Sequence, residues 1–162
     1  MPEITISPMT LADVDAVHAI EAATFPVPWS RESFEKEVTE NKCARYLVLR
    51  EDGVPVAYAG MWLVIDEAHV TNIAVREDRR GLGYGKAVTA ALIQLAADTG
   101  MSLMTLECRR SNERAQALYH GLGFTDVGYR KRYYENREDA LIMYLQPLPE
   151  GHPENDPWLR VE

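Results

Sequence analysis

Cysteine is scarce: the 162 residues hold two, Cys43 and Cys108. They make no CxxC pair and no disulfide framework. The four histidines, at 18, 69, 120 and 152, have no metal-ligand spacing, so no metal is expected. No apolar run approaches the roughly 18 residues that a membrane span needs. The start, MPEITISPMT, lacks a basic stretch followed by an apolar core. It does not read as a secretory signal, and the reducing cytoplasm is the expected compartment. Positive charge is also short. There are 17 basic residues against 25 acidic ones, for a net charge of −8 and a pI near 5.0. A generic nucleic-acid binder needs the opposite balance. A basic protein or peptide, or a cationic small molecule, suits it as partner.

What is present is the composition of one globular domain, 46% hydrophobic and 26% charged. No repeat and no internal linker interrupts it. The one break falls near Gln146. The domain therefore spans 1–146, and PLPEGHPENDPWLRVE, 147–162, reads as a Pro-rich acidic tail, lying on the domain or free of it. Trp158 could anchor it.

Within 1–146 the periods alternate. Ile4 to Ile6 is a short strand. Thr10 to Thr24 is a helix, with Leu11, Val14, Val17 and Ile20 on one face and a Thr10–Asp13 capping pattern. Ser30 caps a second helix that runs to about Thr39. Strands follow at 45–50, 54–65 and 69–75, the first two joined by a hairpin turn at Glu51-Asp52-Gly53. A long helix then carries Val88, Leu92 and Leu95 on its apolar stripe and ends at Gly100. A strand at 102–107, a helix from Asn112 to Gly123 and strands at 124–130 and 140–145 complete the order. The order β-α-α-β-β-β-α-β-α-β-β implies α/β or α+β architecture with a mixed sheet.

Arg80-Gly81-Leu82-Gly83-Tyr84-Gly85-Lys86 lies between a strand and a helix. Glycines let backbone N–H groups approach an anion, and a helix N-terminus adds partial positive charge. A P-loop would need Gly at 80 and Ser or Thr at 87, where Arg80 and Ala87 stand. A dinucleotide fingerprint would need Gly at 86 or 88, where Lys86 and Val88 stand. Arg76, Arg79, Arg80 and Lys86 crowd this stretch of an acidic chain, which favours an anion site.

The loop resembles the R/Q-x-x-G-x-G/A loop of the GNAT N-acetyltransferase superfamily, which cradles the pyrophosphate of acetyl-CoA. Asn72-Ile73-Ala74-Val75 resembles that superfamily's strand beside the pantetheine arm. The likeness covers about residues 3 to 146. It implies a mixed, mostly antiparallel central sheet flanked by about four helices, with acetyl-CoA as the acetyl donor. Two further segments sharpen it. Thr105-Leu106-Glu107 through Asn112, followed by Ala117-Leu118-Tyr119 and Leu122-Gly123-Phe124, is similar to the RimI branch, the ribosomal-protein-alanine N-acetyltransferases. So are Pro28-Trp29-Ser30 and Tyr133-Tyr134 with Glu138-Asp139-Ala140. By resemblance, Glu107 is the proton acceptor and Tyr119 the proton donor. Ile73, Ala74, Val75, Arg80, Gly81, Leu82, Gly83, Tyr84, Gly85, Lys86 and Asn112 contact the cofactor. Trp29, Tyr133 and Tyr134 wall the substrate peptide.

Read from the residues alone, other roles stay open. Strand-end glutamates are commonly solvated, a Tyr on an apolar helix face is commonly core, and Pro28-Trp29-Ser30 also suits a helix cap with a packed indole. Beside an acetyl-CoA loop the pair fits acyl transfer, which needs a neutral amine and then a proton for the departing thiolate. The implied function is acetylation of a protein N-terminal α-amine, on a basic ribosomal protein, with no direct nucleic-acid or membrane binding. A GNAT acting on a free small amine, and a non-catalytic acetyl-CoA-binding module, are the competing readings.

Overall fold

The computed structural model describes residues 1–160. Chain order is β1 (Ile4–Pro8), α1 (Val14–Thr24), α2 (Arg31–Thr39), β2 (Ala44–Glu51), β3 (Val54–Val64), β4 (Glu67–Val75), α3 (Tyr84–Asp98), β5 (Leu103–Arg109), α4 (Glu113–Gly121), β6 (Thr125–Arg130) and β7 (Ala140–Leu145). The strands form one sheet in the order β1-β2-β3-β4-β5-β7-β6. Only β4–β5 is parallel; the other neighbours run antiparallel. The mixed, mostly antiparallel sheet with four α-helices is the expected architecture.

The sheet has a helical layer on each face. α3 and α4 lie on one face, where Val88, Leu92, Ile93 and Ala96 meet Leu47, Ala57, Met104 and Leu106. α1 and α2 lie on the other, where Val14, Val17, Ile20 and Phe34 meet Tyr46, Val48 and Tyr58. Each fully buried Val or Leu of these layers contributes roughly 1.5–3 kcal/mol. The strands therefore alternate between two cores rather than between core and water.

Local chemistry sets the helix starts. Asp13 accepts the Thr10 N–H at 2.8 Å, the return half of a capping box. The first turn, Leu11–Asp13, is a tighter 3-10 turn, so α1 begins at Val14, later than the periodicity suggests. Ser30 caps α2 as expected, its hydroxyl accepting the Ser33 N–H at 3.1 Å. β5 runs two residues past the predicted end because Cys108 and Arg109 still pair with Leu141 and Ala140. The turn before β4 sits on Ile65 and Asp66, with Ile65 left-handed at φ 59° and 94% exposed.

The tail lies against the domain. His152 N–H donates to Asp98 at 2.8 Å, and Gln94 donates to the Glu150 carbonyl at 2.9 Å. The Trp158 ring then lies 5.0 Å from the Arg45 guanidinium. Among the described residues no helix is long and apolar enough to cross a membrane.

Candidate active site

The sheet opens at its one parallel pair. β4 pairs with β5 only at Glu67–Leu103, Ala68–Met104 and His69–Thr105. Both strands continue, β4 to Val75 and β5 to Arg109, but apart. The separation starts beside a bulge. β3 pairs Met61 with Val70 and Gly60 with Asn72, which leaves Thr71 as the extra residue on β4. Glycine is needed at 60 because the Tyr46 ring of β2 lies directly on its backbone, where any Cβ would collide. The Tyr46 hydroxyl thereby comes within 2.8 Å of Thr71 Oγ1.

The gap leads into a cleft of roughly 470 Å³. Ile73, Ala74 and Val75 form one wall; Arg80, Gly81, Gly83, Tyr84, Gly85 and Lys86 form its mouth; Asn112 and Tyr119 close it from α4. Thus the two segments read as cofactor contacts meet in one space, with the tyrosine read as acid. Leu82 stands apart, its side chain 59% exposed and off the cleft wall.

The loop has the form an anion requires. Gly81 and Gly83 hold φ of 80° and 84°, left-handed values that side chains disfavour. Gly85 serves a different end: a Cβ there would meet Val75 Cγ2 at 3.3 Å, so its absence lets α3 approach β4 closely. The N–H groups from Gly81 to Lys86 donate to no acceptor among the described residues; the first bonded one, Ala87 N–H, reaches Gly83. Several free donors at the start of a 15-residue helix suit a pyrophosphate.

The cations around the loop divide. Arg79 is held by Glu51 at 2.9 Å, and Tyr84 also donates to Glu51 at 2.6 Å. Arg76 pairs with Asp78 at 2.6 Å. Arg80 donates one N–H to the Val75 carbonyl at 3.2 Å and remains on the cleft wall with Lys86. Arg114, on the first turn of α4, joins them. Sequence reading gave no site role to Arg114, Thr24 or Leu118, which also line the cleft; no motif marks the first two, and Leu118 lies within the Ala117-Leu118-Tyr119 segment.

Tyr119 packs edge-on against Phe124 at 5.8 Å. Its hydroxyl makes no hydrogen bond among the described residues, and burial pushes its pKa above the usual phenol value. Asn112 caps α4, accepting the Ala115 N–H at 3.1 Å. Cys108, behind it, is buried, and its thiol is pushed up to about 11.

Glu107 stands on the opposite face of β5. Alternation along β5 buries Met104, Leu106 and Cys108 and leaves Leu103, Thr105 and Glu107 half-buried on the other side. The Glu107 Oε2 atom is shielded from solvent without a hydrogen bond, although Arg130 Nε stands 3.3 Å away as an ion-pair partner. The ion pair leaves that oxygen without a hydrogen bond, so it keeps capacity for a further donor. Tyr133 and Tyr134 gather beside it, their rings edge-to-face at 5.2 Å. Burial and then the Glu107 charge push the Tyr133 hydroxyl up. Arg109 lies 4.1 Å from the Tyr134 ring and thereby holds it. Trp29 belongs to another cluster, packed on Phe34 at 5.6 Å and Trp62 at 6.1 Å. Its place is that of a packed indole beside a capped helix, apart from the Tyr133–Tyr134 pair.

The profile of the Acetyltransferase (GNAT) family matches residues 14–124. The chain belongs to this family. Its members use acetyl-CoA. A Bacillus subtilis (strain 168) relative is 42% identical over 138 residues, covering 85% of this chain and 91% of its own length. The Escherichia coli (strain K12) [ribosomal protein bS18]-alanine N-acetyltransferase is 39% identical over 146 residues, covering 87% of this chain and 96% of its own. The crystal structure of the ribosomal-protein-S18-alanine N-acetyltransferase from Escherichia coli superposes with a TM-score of 0.82 at 35% identity, over 93% of this chain and 98% of that one.

Proposed function

We propose that this GNAT acetyltransferase moves acetyl from acetyl-CoA to the N-terminal α-amine of a small-subunit ribosomal protein. The observation that carries it is the parted β4–β5 edge. An anion-ready loop and a buried phenol lie toward one face of the sheet, and the Glu107 carboxylate, paired with Arg130 and flanked by two tyrosines, lies on the other. Two substrates can therefore meet through the gap from opposite sides. The named activity of the Escherichia coli relative supports the acceptor.

Acetyl-CoA supplies the activated acyl group. Free N–H groups from Gly81 to Lys86, with Arg80, Lys86 and Arg114, hold its pyrophosphate. The unpaired edge of β4 at Ile73 to Val75 lies along its amide arm. Glu107, directly or through one water, accepts a proton from the incoming ammonium, and the neutral nitrogen attacks the thioester carbon. As the C–N bond forms and the C–S bond breaks, Tyr119 gives its proton to the sulfur, the acylated nitrogen loses its second proton to water, and the tyrosinate regains a proton from solvent. Tyr133 and Tyr134 wall the first residues of the peptide, with the turn at Trp29 across from them.

Amine chemistry favours an N-terminus. At pH 7, neutralising an α-amine costs about 1–1.4 kcal/mol and a lysine amine about 4.6 kcal/mol. A carboxylate is a weak base, matched to the smaller cost. The test is thiol release with acetyl-CoA and short peptides that begin with Ala and carry internal lysines. Intact-mass and fragment spectra should place one acetyl group on the α-amine. Acetyl on internal lysines with a free N-terminus would refute the reading.

A further inference from the structure

Under the acceptor face runs a buried polar chain that the transfer chemistry does not use. Its centre is Glu21, 2% exposed, one turn before the end of α1. One carboxylate oxygen accepts the Trp29 N–H at 2.9 Å. The other accepts the Tyr58 hydroxyl and, at 3.1 Å, the Asn72 side-chain amide. Asn72 in turn accepts the Thr71 hydroxyl at 2.8 Å. Beyond Thr71 stands Tyr46, and the Tyr46 hydroxyl and the Trp62 indole both reach Glu37, at 3.1 and 2.5 Å.

A buried carboxylate is costly unless its lone pairs are filled, and here three donors from three elements fill them. Those elements have distinct duties. The Trp29 amide belongs to the turn that borders the acceptor face. Asn72 and Thr71 form the β4 bulge where the sheet begins to part. Tyr58 belongs to the unparted sheet. An apolar side chain could fill the same volume but could not tie the turn to the bulge.

We propose that Glu21 is a positioning residue for the acceptor, holding the 25–30 turn and the β4 bulge in one relative placement. The inference rests on the acyl-transfer reading of this site. Glu21 touches none of the loop donors, Arg80, Lys86 or Arg114, so acetyl-CoA affinity is set elsewhere.

Glu21→Gln tests it with almost no change of shape. The amide oxygen can serve Tyr58 and Asn72, but the amide NH2 then faces the Trp29 N–H, donor against donor. The KM for an Ala-starting peptide should rise about tenfold, with the KM for acetyl-CoA within about threefold of wild type. Val17→Ala, a cavity on the same helix that removes no hydrogen bond of the network, should lower the melting temperature while leaving both KM values in place. Hydrogen exchange supplies a readout free of any acceptor: in Glu21→Gln, residues 25–30 and 70–72 should both exchange faster. An unchanged peptide KM, an equal rise in Val17→Ala, or faster exchange confined to α1 would each overturn the role. If the wild type acetylates no α-amine, the function proposed above fails instead, and the exchange experiment still decides whether Glu21 couples the turn to the bulge.

Discussion

Tyr119 packs like a core residue and carries a proton that nothing else in the protein uses. Its ring contact with Phe124 needs no hydroxyl, and that hydroxyl is unpaired among the described residues. Tyr119→Phe should therefore leave the melting temperature nearly unchanged, since it deletes a polar group that makes no bond. The rate should respond differently. If the hydroxyl protonates the departing thiolate, kcat falls by about 10²-fold with little change in the KM for acetyl-CoA. The direction of the pKa adds a check. Burial raises it, so the group stays protonated throughout the range below its ordinary value of about 10, and the wild-type kcat profile should show no alkaline loss from this residue up to about pH 9.5. Loss of stability with normal kcat would make Tyr119 packing alone. At this scale the sequence was only partly legible. Strand alternation put Glu107 on the open face, and helical spacing put Tyr119 on the packed one. Which arginines stay available was hidden, because Glu51 and Asp78 neutralise Arg79 and Arg76 through contacts that exist only once β2 and the loop after β4 meet.

The element proposed to bind the cofactor is the start of α3. Its order, strand, glycines, helix, was readable because left-handed turns need glycine and helices need starts. The three glycines are not equivalent, and that distinction required the fold. A side chain at 83 would meet no protein atom within 4 Å, whereas one at 85 presses on Val75. Gly83→Val should thus be tolerated by packing, at a cost of about 1–3 kcal/mol for a β-branched residue held left-handed. It should place a branched Cβ among the free N–H groups. Calorimetry should then show acetyl-CoA affinity down by tenfold or more in a folded protein. Unchanged affinity would remove the loop from the cofactor site. The β4 bulge was not readable at all. Val70 to Val75 reads as one unbroken strand, and the extra residue appears only when Tyr46 lies over Gly60 and meets Thr71.

At the scale of the whole molecule, charge and architecture act on different partners. The net charge of −8 should repel acetyl-CoA, itself an anion, and the protein answers locally by keeping Arg80, Lys86 and Arg114 together at one mouth. Around Glu107 the basic groups are matched by carboxylates, Arg130 by Glu107 and Arg109 by Glu135 and Glu138. If the acceptor is a basic peptide, as proposed, the overall field of the chain attracts it. Long-range attraction of this kind is screened over about 10 Å at 0.1 M salt and about 3 Å at 1 M, whereas contacts inside the gap are screened far less. The two contributions can therefore be separated by ionic strength. For an Ala-starting peptide rich in Lys and Arg, kcat/KM should fall several-fold between low salt and about 0.5 M, carried by KM, with kcat nearly constant. For a peptide with the same first residues and no net charge downstream, the same titration should be nearly flat. Equal slopes for the two peptides would mean that the field of the protein plays no part in choosing its substrate. Selection would then rest on the Tyr133–Tyr134 wall and the first residues alone.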